Sequence, residues 1–284
     1  MEIAGRMAVV TGGGSGMGRE LVVQLATAGC DVATCDVHEP GLVETRELAA
    51  TAAPDARVTV HRCDVSDEAQ VGAFRDEVLA EHGRDHLNLL FNNAGVAGGY
   101  SFVADDRAAW DRTFAICWGG VYHCSRVFMP LLIASDAGYI VNTSSVNGFW
   151  AALGPNVPHT AYSTAKFAVK GFSESLLTDL RIHAPHVKVA VVMPGHVGTG
   201  IVANTTRVLD GDAAADALRE VSDGFSAQAP VSAREAAAII LDGVHHDEWR
   251  ILVGDDARAL DDAVRADPLG VYGADGLALR SITG

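Results

Sequence analysis

The sequence TGGGSGMG occupies residues 11–18, directly after the apolar run at residues 7–10 and directly before a helical pattern. Glycines permit positive φ angles and let a backbone approach a pyrophosphate closely. The N-terminus of the following helix offers free N–H groups and a favourable dipole to the same anion. Between a strand and a helix, this loop predicts a dinucleotide site. The alternative is a glycine-rich turn without a ligand.

Seven short apolar runs, rich in Val, Ile and Leu and mostly without alternation, follow one another along the chain. They lie at residues 7–11, 31–36, 58–64, 87–92, 139–144, 187–193 and 250–253. Such runs are typical of strands buried on both faces of a parallel sheet. Helical spacing between them, clearest at 18–28, 68–79, 110–132 and 161–180, predicts crossover helices. The pattern therefore predicts an α/β fold: a doubly wound, Rossmann-like, seven-stranded parallel sheet with helices on both faces.

The chain has no linker or internal repeat, which predicts one dinucleotide-binding catalytic domain over residues 1–255. Two segments lie outside the strand–helix alternation. Residues 198–224 carry no strand signal and are interpreted as a mobile helical lid over the substrate. Residues 256–284 are interpreted as a C-terminal extension with an acidic, solvated surface and a contact for oligomers.

The 284 residues carry a formal charge of −15, which disfavours nucleic acid and anionic membrane surfaces as partners. No stretch approaches a spanning helix, and the N-terminus shows no signal-peptide pattern. The five cysteines form no Cys-x-x-Cys pair, so buried thiols in a reducing cytoplasm are expected. His245, His246 and Asp247 are adjacent and do not face one another on a helix, so no metal site is predicted.

Asp36 ends the second predicted strand, ~20 residues beyond the glycine loop, where a carboxylate can bind the adenosine ribose hydroxyls. A carboxylate in this place also repels a 2′-phosphate. Neither Val37 nor Ser15 offers that phosphate a cation. The sequence therefore predicts NAD rather than NADP as the cofactor. A solvated Asp at a strand end is the alternative.

Tyr162 and Lys166 are four residues apart, which places both on one face of a helix. A nearby ammonium favours phenolate, so the pKa of Tyr162 is expected to fall from ~10 toward neutrality. A phenol tuned in this way exchanges protons with an alcohol or carbonyl oxygen. Thr143, Ser144 and Ser145 lie at the carboxyl end of the fifth predicted strand, at the sheet edge where such folds bind ligands, and a hydroxyl there can hold the reacting oxygen.

Taken together, these motifs resemble the short-chain dehydrogenase/reductase family in its single-domain form. The matching residues occur in the family's order over about residues 5 to 255: Thr11-Gly12-x-x-x-Gly16-x-Gly18, Asp36, Asp64-Val65, Asn92-Asn93-Ala94-Gly95, Ser145, Tyr162-x-x-x-Lys166 and Pro194-Gly195. The resemblance implies a nicotinamide-dependent oxidoreductase, usually a homotetramer.

The resemblance also implies roles for individual residues. Ser145, Tyr162 and Lys166 are the expected catalytic residues, with Lys166 also holding the nicotinamide ribose. The expected cofactor contacts are Gly12, Ser15, Gly16, Met17, Gly18, Asp36, Val37, Asp64, Val65, Asn93, Tyr162, Lys166, Val197 and Thr199. In the family an Asn that helps hold a relay water follows the Asn-Asn-Ala-Gly motif in the next helix. Cys117 occupies that place here, and a thiol is a poor hydrogen-bond partner.

The segment between Ser145 and Tyr162 is longer than usual for the family and apolar. Its Trp150 and Leu153 are expected to project over the substrate mouth, and His159 and His196 lie near the predicted cleft. The expected function is hydride transfer between NAD and a bulky, apolar secondary alcohol or ketone. Two alternatives remain: an epimerase or dehydratase with bound NAD, and a non-catalytic dinucleotide sensor, which Cys117 would suggest. The expected partners are the small-molecule substrate and other copies of the chain, as a tetramer or dimer.

Overall fold

The computed structural model describes residues 1–273 and 276–277. The strands are β1 (Met7–Thr11), β2 (Asp31–Asp36), β3 (Val58–Arg62), β4 (Leu89–Asn92), β5 (Gly138–Thr143), β6 (Ala152–Gly154), β7 (Val157–Pro158), β8 (Val187–Pro194), β9 (Val197–Gly198), β10 (Val231–Ser232) and β11 (Arg250–Val253). The α-helices are α1 (Gly16–Thr27), α2 (Glu39–Ala52), α3 (Glu68–His82), α4 (Arg107–Phe114), α5 (Gly120–Ile133), α6 (Thr160–His183), α7 (Ile201–Asp210), α8 (Asp212–Ala217), α9 (Arg219–Ala227), α10 (Ala233–His245) and α11 (Asp255–Ala266).

Seven of these strands form one sheet in the order β3-β2-β1-β4-β5-β8-β11, with every neighbouring pair parallel. This is the predicted sheet. The order reverses at β1, which pairs with β2 on one side and with β4 on the other. Parallel strands end at the same edge, so the loops after β1 and β4 diverge there and leave a crevice.

Helices cover both faces of the sheet, as predicted, and successive residues of β1 show how. Met7 and Val9 belong to the core that includes Phe74 of α3 and Phe128 of α5. The intervening Ala8 and Val10 belong to the core beneath α1 and α10. Because side chains alternate along a strand, an unbroken apolar run supplies both cores at once.

The helix predicted at 110–132 is a continuous helical run over Arg107–Ile133 with a π-helical turn, Ala115–Gly119, between α4 and α5. By length and composition this run could cross a membrane. In the structure its residues Val121, Phe128 and Leu132 are buried in the domain core. The run is therefore a core helix of the sheet domain.

The segment predicted as a helical lid holds α7 and α8 and most of α9. It is anchored at both ends, because β9 before it pairs with β10 after it. Neither strand was predicted, since each is only two residues long and shows no apolar pattern. The predicted helical character agrees with the structure.

The C-terminal segment packs on the domain more closely than its acidic sequence indicates. Ala257 and Leu260 of α11 are fully buried, and the carboxylates of Asp256 and Asp261 face inward. Arg250 of β11 donates two hydrogen bonds to Asp261, at 2.7 and 2.9 Å. The boundary predicted at 255 thus falls at the first residue of a helix that is part of the core. The remainder of the predicted extension, residues 274–275 and 278–284, lies outside the described residues.

Trp150 is placed differently from the expectation that it covers the substrate mouth. Its side chain is fully buried in a cluster with Val146 of the turn after β5 and with Ala257, Leu260 and Val271 of the C-terminal segment. An indole is a large apolar surface, and α11 offers it a partner that the local sequence does not reveal. Trp150 is therefore a packing residue that joins the chain's end to the region beside Ser145.

We expect the Trp150→Ala variant to lose about 3–5 kcal/mol of unfolding free energy, because the substitution leaves a cavity in a packed cluster. Urea unfolding followed by circular dichroism measures the loss. Phe102→Ala is the matched control, since Phe102 is 76% exposed, and it should change the stability little. If Trp150→Ala has unchanged stability and an altered substrate preference, the result would instead support the expectation that Trp150 covers the substrate mouth.

Candidate active site

A cleft opens at the carboxyl edge of the sheet, where the loops after β1, β2, β3 and β4 meet. Eleven of the residues predicted to contact the cofactor line it: Gly12, Ser15, Gly16, Met17, Gly18, Asp36, Val37, Asp64, Val65, Asn93 and Thr199. The sequence placed these residues on five separate segments. The parallel sheet brings them together because each segment follows the carboxyl end of a strand.

The glycine loop is shaped to let a ligand reach the backbone. Gly16 has φ +52°, and a Cβ on Gly18 would stand 2.1 Å from the carbonyl oxygen of Gly12. Side chains at either position would therefore disturb the start of α1. The first N–H groups of α1 have no partner within the helix, and its dipole favours an anion at this end. The loop thus fits the pyrophosphate of a dinucleotide.

Asp36 lies on the wall of the cleft and is held by two backbone groups. Its Oδ2 accepts the N–H of Gly14 at 3.0 Å, and its Oδ1 accepts the N–H of His38 at 3.0 Å. Each carboxylate oxygen keeps a further lone pair for another donor. The carboxylate is therefore fixed in an orientation that can accept hydrogen bonds from ribose hydroxyls.

Asp64 makes an ion pair that the sequence did not indicate. Arg112 of α4 also lines the cleft, and its Nη2 donates to Oδ2 of Asp64 at 2.6 Å while Nη1 approaches Oδ1 at 3.3 Å. Burial acts to raise the pKa of Asp64, but hydrogen bonds from Arg112 and Ser66 outweigh it and hold the pKa below its usual value. Arg112 is 48 residues away in the chain, so no local motif links the two.

Tyr162 and Lys166 lie on one face of α6, as their spacing predicts. The Nζ of Lys166 is 5.3 Å from the centre of the Tyr162 ring and donates to the carbonyl oxygen of Thr143 at 2.8 Å. A Cβ on Gly95, which lines the cleft, would be 3.5 Å from the same Nζ. The ammonium group therefore lies beside Gly95 of the cleft wall, while Ser145, Tyr162 and Lys166 themselves are not among the residues that line the cleft.

Two serines follow β5, and their contacts differ. The hydroxyl of Ser144 donates to the carbonyl oxygen of Lys166 at 2.8 Å, so it fastens the turn to α6. The hydroxyl of Ser145 accepts the N–H of Asn147 and lies near the phenol of Tyr162, whose pKa it acts to lower. Of the two, Ser145 has its hydroxyl beside the phenol, which agrees with the role that the resemblance implies for it.

The pKa of Tyr162 shifts in the direction opposite to the expectation. Burial raises it above its ordinary value, and the nearby hydroxyl of Ser145 offsets only part of this effect. Burial also lowers the pKa of Lys166. Desolvation disfavours the charged form of both groups and is the largest cause of both shifts.

His159 forms the middle of a stack of three aromatic rings. Its ring centre lies 4.6 Å from that of Tyr162 and 5.0 Å from that of Tyr100, with interplanar angles of 19° and 15°. Its Nε2 donates a long hydrogen bond, 3.4 Å, to the carbonyl oxygen of Ala97. Burial lowers the pKa of His159 to about 4, so the imidazole is neutral at physiological pH. The stack fixes the plane of the Tyr162 ring.

Cys117 lies in the π-helical turn between α4 and α5, a local distortion that is frequent at functional sites. Its thiol is buried and donates to the carbonyl oxygen of Val96 at 3.1 Å. A Cβ on Gly95 would lie 3.6 Å from the sulfur, which places the thiol beside the ammonium of Lys166. The residue at the family's Asn position thus has a structural hydrogen bond of its own.

The remaining predicted site residues, two for the substrate and Val197 for the cofactor, are placed as follows. His196 is buried, and its Nε2 donates to the carbonyl oxygen of Phe225 in α9, so it joins the loop after β8 to α9. Val197 is buried in β9. Leu153 is half-buried in the short hairpin of β6 and β7. None of the three lines the cleft as the structure describes it.

Comparison with known proteins finds a match over residues 6–209 to the family described as short chain dehydrogenase. The chain is 35% identical over 258 residues to a Mycobacterium tuberculosis protein described as "Putative oxidoreductase SadH", covering 90% of this chain and 89% of that one. It is 30% identical over 236 residues to the levodione reductase of Leifsonia aquatica, covering 83% and 85%.

Among solved structures, a short chain dehydrogenase/reductase from Burkholderia phymatum in complex with NAD is similar to this chain, with a TM-score of 0.78 and 31% identity. The match covers 94% of this chain and 92% of that one.

We expect Tyr162 to ionise only above pH ~10 in the protein without nucleotide, because its raised pKa means that protons leave at higher pH than from a free tyrosine. The near-ultraviolet absorbance of phenolate measures this in a pH titration. Tyr162→Phe supplies the reference curve, since burial raises the pKa of Tyr139 as well. A phenolate signal near neutral pH that the Phe variant lacks would contradict the expectation.

Proposed function

The chain belongs to the short-chain dehydrogenase/reductase family, and we propose that it is an NAD-dependent dehydrogenase that interconverts secondary alcohols and ketones. The family match and the relatives named as oxidoreductases support an oxidoreductase with a nicotinamide cofactor. Solved relatives bind NAD or NADP, and NAD is the choice proposed here.

The observation that carries the proposal is the assembly of Ser145, Tyr162 and Lys166 beside the cleft. The Ser145 hydroxyl lies near the phenol and acts to lower its pKa, and the Lys166 ammonium lies 5.3 Å from the phenol ring centre. Three polar groups buried together in this way cost stability and are typical of a site that does chemistry. This assembly argues against a non-catalytic dinucleotide sensor.

In the oxidation direction the Oη of Tyr162 takes the proton of the substrate hydroxyl, and the Oγ of Ser145 donates a hydrogen bond to the same oxygen. A bound oxidised nicotinamide would supply the hydride acceptor and a positive charge. Positive charge beside the buried phenol favours its ionised form, and the Lys166 ammonium acts in the same direction. In the reduction direction Tyr162 returns its proton to the carbonyl oxygen.

Asp36 supports the choice of NAD. Its carboxylate is anchored on the cleft wall by Gly14 and His38, where it can accept hydrogen bonds from the adenosine ribose. A phosphate on that ribose would bring like charges together, and repulsion of this kind costs several kcal/mol at a desolvated interface, about two orders of magnitude or more in affinity.

Aliphatic side chains that line the cleft support an apolar substrate. Ile116 of the π-helical turn and Ile201 and Val208 of α7 line the cleft with aliphatic side chains. Each methylene that a substrate buries there contributes about 0.8 kcal/mol, nearly fourfold in affinity. Secondary alcohols with a large aryl or alicyclic group are therefore the proposed substrate class.

We expect Tyr162→Phe to lower kcat by at least ~10²-fold, the lower end for a lost general acid or base, and to leave NAD affinity nearly unchanged. A panel of secondary alcohols with NAD, followed by NADH absorbance, provides the assay. Near-normal turnover by Tyr162→Phe would remove the phenol from the mechanism.

In the same assay, we expect the wild type to act on large aryl and alicyclic carbinols with a higher kcat/KM than on isopropanol. Equal kcat/KM values for all the alcohols would contradict the apolar substrate class.

We expect Asp36→Ala to lower the ratio of kcat/KM for NAD to kcat/KM for NADP by about tenfold or more. The substitution removes the charged acceptor of hydrogen bonds from the ribose, and it also removes the charge that repels a 2′-phosphate. Initial rates at varied concentrations of each cofactor give the ratio of kcat/KM values. Glu39→Ala is the matched control, because Glu39 is an exposed acid one turn away that pairs with Arg62. A wild type that uses NADP as well as NAD would contradict the role of Asp36.

A further inference from the structure

Helix α7 of the lid segment brings a cation to the cleft that no sequence motif indicates. Both Asn204 and Arg207 of this helix line the cleft together with the glycine loop. They are about 190 residues from that loop in the chain, so only the folded structure relates them to it. The inference below rests on the proposed dinucleotide function.

A chain of hydrogen bonds fixes the guanidinium group relative to the start of α1. The Nδ2 of Asn204 donates to the hydroxyl of Ser15 at 2.8 Å, and Ser15 is the residue immediately before α1. The Nη1 of Arg207 donates to the Oδ1 of Asn204, also at 2.8 Å. Asn204 therefore holds Arg207 at a set distance from the free N–H groups of α1.

The lid also lies close to the loop itself. A Cβ on Gly16 would be 3.3 Å from the Thr199 side chain, two residues before α7 begins. The helix that carries Arg207 thus starts directly over the N-terminus of α1. This is the end of α1 whose dipole and N–H groups favour an anion.

The charges around the cleft make Arg207 the available cation. Among the residues that the structure describes, two arginines line the cleft, and Arg112 is engaged with Asp64 by two contacts. Arg207 pairs through its Nε with Asp212, whose side chain is 82% exposed. An ion pair with so exposed a carboxylate is weak and gives way to a stronger anion. In a chain with a formal charge of −15, a local cation offsets repulsion of that anion.

We propose that Arg207 binds the pyrophosphate of the dinucleotide, with Asn204 positioning its guanidinium group against the glycine loop. A guanidinium presents paired N–H donors that match phosphate oxygens. The pyrophosphate is favoured over a ribose 2′-phosphate because the carboxylate of Asp36 faces the ribose side of the cleft. The lid therefore contributes to cofactor binding as well as to the substrate side.

Isothermal calorimetry tests the proposal by measuring how tightly the protein binds ADP-ribose and adenosine. The affinity for adenosine is measured in competition against ADP-ribose. Arg207→Gln should weaken ADP-ribose binding at least about tenfold, the effect of one lost charge-assisted hydrogen bond or more, and leave adenosine binding unchanged. Arg219→Gln is the matched control, since Arg219 lies on α9 and pairs with Asp216 away from the cleft. It should change neither affinity.

Two further measurements sharpen the result. Wild-type affinity for ADP-ribose should fall more steeply with ionic strength than that of Arg207→Gln, because an added ionic contact is screened by salt. Asn204→Ala should weaken ADP-ribose by a smaller factor, since it frees the guanidinium group without removing its charge. Arg207→Lys should recover part of the loss, because an ammonium keeps the charge and loses the paired donors.

The assignment would be overturned by equal ADP-ribose affinity in wild type and Arg207→Gln, or by a loss of adenosine affinity as large as the loss of ADP-ribose affinity. It would also be overturned by a loss of affinity confined to NADP, which would place Arg207 on a 2′-phosphate. In each of these the wild type still binds NAD, so the proposed function survives. Failure of the wild type to bind NAD or ADP-ribose at all would instead contradict the proposed function.

Discussion

The cleft depends on Thr11, the last residue of β1, whose groups join this strand to the segment after β4. Its Oγ1 accepts the N–H groups of Asn93 and Ala94, each at 3.0 Å, and its carbonyl oxygen accepts Nδ2 of Asn93 at 3.1 Å. A Cβ on Gly12 would lie 2.8 Å from the Cα of Ala94, so the next residue must be glycine. These contacts set the distance between the two loops where the strand order reverses. The glycine loop, Asp36 and the start of α6 are all placed around that junction.

The parts of this molecule that the sequence predicts well are the ones that local rules govern. Strands β1, β2 and β11 have the predicted bounds, because apolar residues predominate in each of them, as is typical of strands in a parallel sheet covered by helices. The spacing of Tyr162 and Lys166 fixes a shared helix face whatever surrounds it. The eleven predicted cofactor residues that line the cleft follow strand ends, and a parallel sheet gathers all such ends at one edge.

The parts that the sequence predicts poorly depend on partners far away in the chain. Trp150 is only five residues from Ser145 in the sequence, yet α11 buries it, and Arg112 and Arg207 reach the cleft from helices with no motif. The pKa of Tyr162 shows the same limit in energetic terms. The sequence shows the nearby ammonium of Lys166, but the degree of burial decides the direction of the shift, and burial is a property of the whole fold.

Because α11 lies near the C-terminus, parts of the site can form at different times while the chain is being synthesised. The glycine loop, Asp36 and the Asn93 segment are complete once about the first third of the chain has been made. The substrate side depends on the end of the chain, because the N–H of His196 donates to Asp256 at 2.6 Å and Tyr272 accepts the N–H of Ala151 at 2.9 Å. Contacts across 60 and 121 residues form late and slowly. A nascent chain therefore has the glycine loop, Asp36 and Asn93 well before it can form the surroundings of Ser145, whereas Thr199 and Arg207 of the same cleft are made later.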